Sequence, residues 1–220
     1  MVTGEKIIIF GLLDLAEIAW FYITKDTSNE VACFTVHEKY KTCDEFKGLP
    51  VVPFEHIERE FSPDSHIFFA PLSPRGMNKI RESIYLQAKE KGYSFFTYVS
   101  PRATVLTEEI GENCFIFEDN TIQPFVKIGN NCVFWSGNHI GHHSVIHNHV
   151  FFSSHVVLSG HCEVMSYSYF GVNSTIRNGI KINEGTCVGM SACVTKDTEP
   201  WTIYVGVPAR PVGSSLEANI

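Results

Sequence analysis

From Ile110 to Val194 an apolar side chain returns at every sixth position: Ile110, Ile116, Ile122, Ile128, Phe134, Ile140, Ile146, Phe152, Leu158, Val164, Phe170, Ile176, Ile182, Val188 and Val194. This spacing fits neither the 3.6-residue turn of an α-helix nor the strands of a hairpin meander. It is the hexapeptide repeat of a parallel β-helix, in which three hexads close one coil of eighteen residues. The position four beyond each apolar residue is mostly small or β-branched, as at Cys114, Val126, Cys132, Ser144, Val150, Val156, Cys162, Ser168, Ser174, Thr186, Ala192 and Thr198. Such residues predict a second, tighter inward position. Gly111, Gly129, Gly141, Gly171, Asn183 and Gly189 follow an apolar position directly, and corners of the coil are expected there. About five coils result, stacked at roughly 4.8 Å, with residues eighteen apart lying one above the other.

The first hundred residues follow a different pattern. Lys6 to Phe10 reads as a strand ending at Gly11, and Leu12 to Thr24 has helical apolar spacing. Strands are expected at Val31 to Val36, His66 to Ala70 and Ser94 to Val99, with a helix over Met77 to Lys91. Alternation of this kind predicts a small N-terminal half-Rossmann α/β domain, whose ligand would sit at the carboxyl ends of the strands. The turn Gly11-Leu12-Leu13-Asp14 carries one glycine where a dinucleotide fingerprint has three, so NAD is not the expected ligand. The expected division, near Ser100-Pro101, gives an α/β domain over 1–99 and a β-helix with a closing segment over 100–220.

Composition narrows the partners. A formal charge of −7 without a basic stripe argues against nucleic acid. The apolar run Ile7 to Leu13 is too short to span a bilayer and lacks the flanks of a signal peptide, so a buried strand and no membrane partner are expected. Of seven cysteines, Cys114, Cys132 and Cys162 fall on small inward positions, and Cys33, Cys43, Cys187 and Cys193 show no metal-type spacing. A reducing, cytoplasmic compartment is the simplest expectation. Phe115, Phe117, Phe151, Tyr167 and Tyr169 fall on positions expected to face outward, enough aromatic surface to call for a trimer.

Seven of the ten histidines lie between His139 and His161. Ile140 and Ser144 point inward by the hexad rule, which leaves His142 and His143 on the outside. A cluster of imidazoles there suits proton transfer near neutral pH. The hexad run, the α/β half before it and the closing Val205-Gly206-Val207-Pro208-Ala209-Arg210 together resemble a known family. It comprises the bacterial sugar O- and N-acyltransferases of the sialic-acid O-acetyltransferase type, members of the left-handed β-helix, hexapeptide-repeat superfamily. The pattern is most similar to acetyl-CoA-dependent enzymes that acetylate nucleotide-linked 4-amino sugars such as bacillosamine precursors and perosamine.

That resemblance implies a left-handed β-helix, an acyl-CoA donor, a nucleotide-linked amino sugar as acceptor, no metal cofactor, and a homotrimer with active sites between subunits. It assigns the general base to His142, one hexad after Ser136-Gly137, and the oxyanion contact to the backbone N–H of Gly160, eighteen residues on. Val172, Asn173, Gly189, Met190 and Lys196 become candidates for the pantetheine arm and phosphates. Trp135, Asn138, His139 and His143 are candidates for the sugar or acyl end, and Gly11 and Asp14 for the nucleotide. Where the family carries an acidic residue beside the base, this chain has Gly141 and His143, so the group orienting His142 is not given by the resemblance. Three rival readings are a sugar O-acetyltransferase, a zinc enzyme akin to β-helical carbonic anhydrases through His142-x4-His147, and a non-catalytic scaffold.

Overall fold

The computed structural model describes residues 4–217. Within that range the chain forms two compact units, one from residues 4–73 and 83–97, the other from 74–82 and 98–217.

In the first unit, β1 (Lys6–Phe10) is buried from Ile7 to Phe10, as expected of a central strand covered on both faces. It pairs in parallel with β2 (Glu30–Val36) and, on its other side, with β5 (Ile67–Phe69). The sheet order is β3-β4-β2-β1-β5, where β3 is Glu45–Phe46 and β4 is Leu49–Pro53. The strand β4 was hidden in the sequence because Pro50 and Pro53 argue against a ladder. Both are accommodated, Pro50 against the two-residue edge strand β3 and Pro53 at the last residue of β4. The first helix, α1 (Asp14–Asp26), starts two residues later than its apolar spacing suggests, because Leu13 is extended. The second, α2 (Lys79–Glu90), falls within the expected span.

The expected strand Ser94 to Val99 divides. Phe95 bridges Phe68 in the first unit, whereas Tyr98–Val99 pairs with Phe115–Ile116 in the second. The division therefore falls before Tyr98, and residues 74–82, expected in the α/β half, fold with the β-helix.

The second unit is the left-handed parallel β-helix. Its rungs are two residues long and repeat at eighteen: Phe115–Ile116, Val133–Phe134, Phe151–Phe152, Tyr169–Phe170 and Cys187–Val188 stack on one face. The three faces hold eight, six and four strands. The coil begins at Tyr98, a full turn before Phe115. That turn was masked because Val99, Val105, Ile110 and Ile116 are spaced six, five and six apart. At the far end Thr202–Val205 continues the eight-stranded face and pairs antiparallel with Arg210–Ser214, closing the barrel of side chains.

The core follows from the repeat. Every inward apolar residue from Ile116 to Val194 is buried, and so is every small residue expected four positions beyond. Phe134, Phe152 and Phe170 stack at 4.8 and 4.4 Å between ring centroids. Two expectations are corrected. The left-handed backbone does not fall directly after the apolar residue but three positions beyond it, at Asn113, Asp119, Phe125, Asn131, Gly137, His143, His149, His155, His161, Tyr167 and Asn173. The glycines directly after the apolar residue have another cause: a Cβ on Gly141 would lie 2.4 Å from the Gly160 nitrogen of the next coil. The aromatics also differ, since Phe115, Phe117 and Phe151 are buried within the single chain. Phe115 packs on Tyr98 and Phe117, and the Arg81 guanidinium lies over Phe151. They therefore supply no argument for a trimer.

Candidate active site

The β-helix has three edges, each a column of corners. His142 follows the rung His139–Ile140 and lies on the edge between the six-stranded and four-stranded faces, with Gly160 directly above it. A Cβ on Gly160 would stand 2.8 Å from both Cε1 and Nε2 of His142. A side chain there would push the ring aside, and with Gly141 the glycine leaves a notch in which the ring lies. Among the described residues the Gly160 N–H has no acceptor, while its carbonyl accepts from Gly179 at 3.0 Å. A free backbone donor beside a ring nitrogen is what a developing oxyanion and its proton acceptor require.

The ring of His142 is held from its other side. Its Nδ1 lies 3.0 Å from Nδ1 of His143. The His143 ring is clamped between Phe125, at 4.6 Å, and His161, stacked at 4.9 Å and 15°. The backbone N–H of His142 donates to Gln123 and its carbonyl accepts from His161, both at 2.9 Å. One ring nitrogen from each of His142, His143 and His161 falls within 4.8 Å of the others. His147 turns to a carboxylate instead, with Nε2 3.2 Å from Glu163.

The other histidines show why the cluster is dense. His143, His149, His155 and His161 all occupy left-handed corners, a conformation in which Asn, Asp and His are enriched among non-glycine residues. His149 belongs to a different edge and is buried. Its Nδ1 accepts from Asn131 at 2.8 Å, its Nε2 lies 3.5 Å from Glu82, and Tyr167 stacks on it while donating to the same carboxylate at 2.6 Å. Burial pushes its pKa down to about 4, against the opposing pull of Glu82. A proton is held off this ring, which serves the fold.

Asn138 is 1% exposed and turned into the core, where its amide bonds Trp135 and Val156; this structure gives it no surface to meet a sugar. Trp135 is half-buried and stacks on Phe117 at 4.8 Å and 6°. His139 is a half-buried rung residue between Thr121 and Val157. Val172, Asn173, Gly189 and Met190 occupy the edge between the eight- and six-stranded faces, with Val172 and Met190 exposed. Lys196 stands fifty-four residues, or three coils, beyond His142 on the latter's own edge. Base and most donor candidates are thus on different edges of one prism. In the first unit, Gly11 follows β1 with φ of 124° and its N–H donates to the Thr35 carbonyl, and Asp14 is exposed in the first turn of α1. No sequence signal marked His161 or Phe125; the eighteen-residue stacking rule, applied to His143, would have found both.

Residues 109–142 match the family model of the bacterial transferase hexapeptide, six repeats. The chain thus has the hexapeptide-repeat β-helix fold, and its similarities lie among transferases. It overlays the acetyltransferase domain of PglB from Neisseria gonorrhoeae, solved with acetyl coenzyme A, with a TM-score of 0.85 at 19% identity, covering 95% of this chain and all of that one. A mutant of the perosamine N-acetyltransferase from Caulobacter crescentus, bound to CoA and GDP-perosamine, gives 0.84 at 20% identity over 97% and 99%. WeeI from Acinetobacter baumannii gives 0.75 at 18% over 95% and 100%. A Schizosaccharomyces pombe protein named as an acetyltransferase is 41% identical over 44 residues, a match spanning about a fifth of either chain. Among the described residues no helix is long and apolar enough to cross a membrane, and all seven cysteines are unpaired.

Proposed function

We propose that this chain is an acyl-CoA-dependent acyltransferase acting on the amino group of a nucleotide-linked sugar. The observation that carries the reading is the His142 ring packed against Gly160, whose N–H has no other partner. With its proton on Nδ1, donated to Nδ1 of His143, His142 presents a bare Nε2 on the Gly160 side. That nitrogen takes the proton of the amine as the amine attacks the thioester carbonyl. The carbonyl oxygen, now anionic, is met by the Gly160 N–H. Collapse forms the amide and releases CoA, whose thiolate recovers the proton from His142. His143 thus fills, as hydrogen-bond acceptor, the place of the family's acidic residue. The relatives solved with acetyl coenzyme A, or with CoA and a nucleotide sugar, support the donor and acceptor classes.

Two finer points belong to the same proposal. Val172, Asn173, Gly189 and Met190 hold the pantetheine arm, and they share no edge with His142. One groove can contain both only if an edge of one subunit faces a different edge of its neighbour, which a three-fold assembly supplies. The α/β unit holds the nucleotide at the carboxyl end of β1, near Gly11 and Asp14. The seven unpaired thiols fit a reducing cytoplasm.

Acyl transfer from acetyl-CoA is assayed with UDP-, GDP- and dTDP-linked 4-amino sugars, and mass is measured by light scattering. Turnover with one of the amines in a trimeric protein is expected. A stable, active monomer would remove the intersubunit site, and acylation of a hydroxyl alone would make the enzyme an O-acetyltransferase.

A further inference from the structure

The corner that carries the base also sets three imidazoles within reach of a single ion. His142 and His143 are adjacent, and His161 lies one coil above His143, its N–H tied to the His142 carbonyl at 2.9 Å. The spacing of the backbones is fixed by the coil, while the His143 and His161 side chains are open to solvent. Nitrogens bound to a tetrahedral ion at roughly 2.0–2.1 Å stand about 3.4 Å apart. The two Nδ1 atoms are already 3.0 Å apart, and the group as a whole lies within 4.8 Å, so a small rotation of exposed rings closes the set. The three donors are all neutral imidazoles, which favours Zn²⁺, Co²⁺, Ni²⁺ or Cu²⁺ over Mg²⁺ or Ca²⁺. Three histidines on one side of an ion leave its fourth position to water.

We propose that His142, His143 and His161 capture a divalent transition-metal ion and that capture switches the acyltransferase off. The ion is an inhibitor in this scheme and plays no part in the chemistry. Coordination through Nδ1 of His142 confines that ring's proton to Nε2, the nitrogen facing Gly160. The lone pair that would accept the amine proton is then gone, and each ring stays neutral. The inhibitory half of the proposal rests on His142 being the base; the binding half does not.

Tag-free full-length protein is titrated with Zn²⁺ by calorimetry and with Co²⁺ by visible absorption, alongside acyl-transfer assays in zinc-buffered solution. One ion per chain is expected, with the ligand-field bands of tetrahedral Co²⁺ and a loss of turnover that follows occupancy and is reversed by a chelator. His161→Asn suits the left-handed φ of 56° at this corner, and its inhibition is scored against its own metal-free turnover, because His161 packs on His143. The substitution should weaken binding, and raise the inhibitory zinc concentration, by about tenfold or more. Equal zinc affinity in the variant overturns the site, and full occupancy with unimpaired turnover overturns the switch. If metal-free protein transfers no acyl group to any acceptor, the enzyme reading and the inhibition fall together, and calorimetry on the two proteins still decides the metal site.

Discussion

His143 and His149 both stand three residues beyond an inward isoleucine, with φ of 57° and 63°, yet their surroundings are opposite. His143 is exposed among aromatic rings with an imidazole nitrogen at 3.0 Å. His149 is buried on another edge between Asn131, Tyr167 and Glu82. The backbone selects the residue type at both corners, and the neighbours alone decide whether the ring can exchange a proton. A run of histidines in a hexapeptide repeat is therefore in part a record of left-handed corners. The chemical signal is narrower: a histidine one position before the corner, with glycine above it.

The comparison is broken most sharply at His142. His142→Asn should lower turnover by about 100-fold or more, since general-base catalysis contributes roughly 10²–10⁴, with the thermal midpoint nearly unchanged. Near-normal kcat would move the chemistry elsewhere. At the buried corner the effect should be reversed. His149→Asn keeps the left-handed backbone but removes the Tyr167 stack and the Glu82 contact, and a loss of roughly 1–3 kcal/mol in denaturant unfolding is expected. Turnover of the protein that remains folded should be preserved.

A pH series sharpens the contrast. Unfolded His149 takes a proton near pH 6.5 and the folded residue only near 4. Between those values the unfolded state binds more protons, so stability falls as pH falls, by up to roughly 3 kcal/mol. The stability falls off less steeply over this window in His149→Asn. An unchanged slope in the variant would place the acid sensitivity in other groups.

Period alone made the rungs legible, and with them the inward residues from Ile116 to Val194 and the placement of Gly160 over His142. What it missed has physical causes. The first coil, through Val99 and Val105, was lost to a single short hexad. The strand Leu49–Pro53 was hidden by its prolines. Outward rung positions look exposed in a repeat, but Phe115 is covered by Tyr98 of the coil before it and Phe151 by Arg81 of α2. Asn138 drew notice as a polar residue near the base, although its place four beyond Phe134 is an inward one, where an amide can satisfy two backbone groups of the corner.

The eighteen-residue register also governs how this chain tolerates changes in its own length. Losing one residue between Ile146 and Gly160 would carry Gly160 away from His142 unless a nearby corner absorbed it, as the first coil absorbs the five-residue step from Val105 to Ile110. Losing or gaining a whole coil beyond Ile182 would leave the pair intact, because each column resumes in phase. Such a prism can be lengthened or shortened by complete turns at its far end while the reacting corner stays as it was.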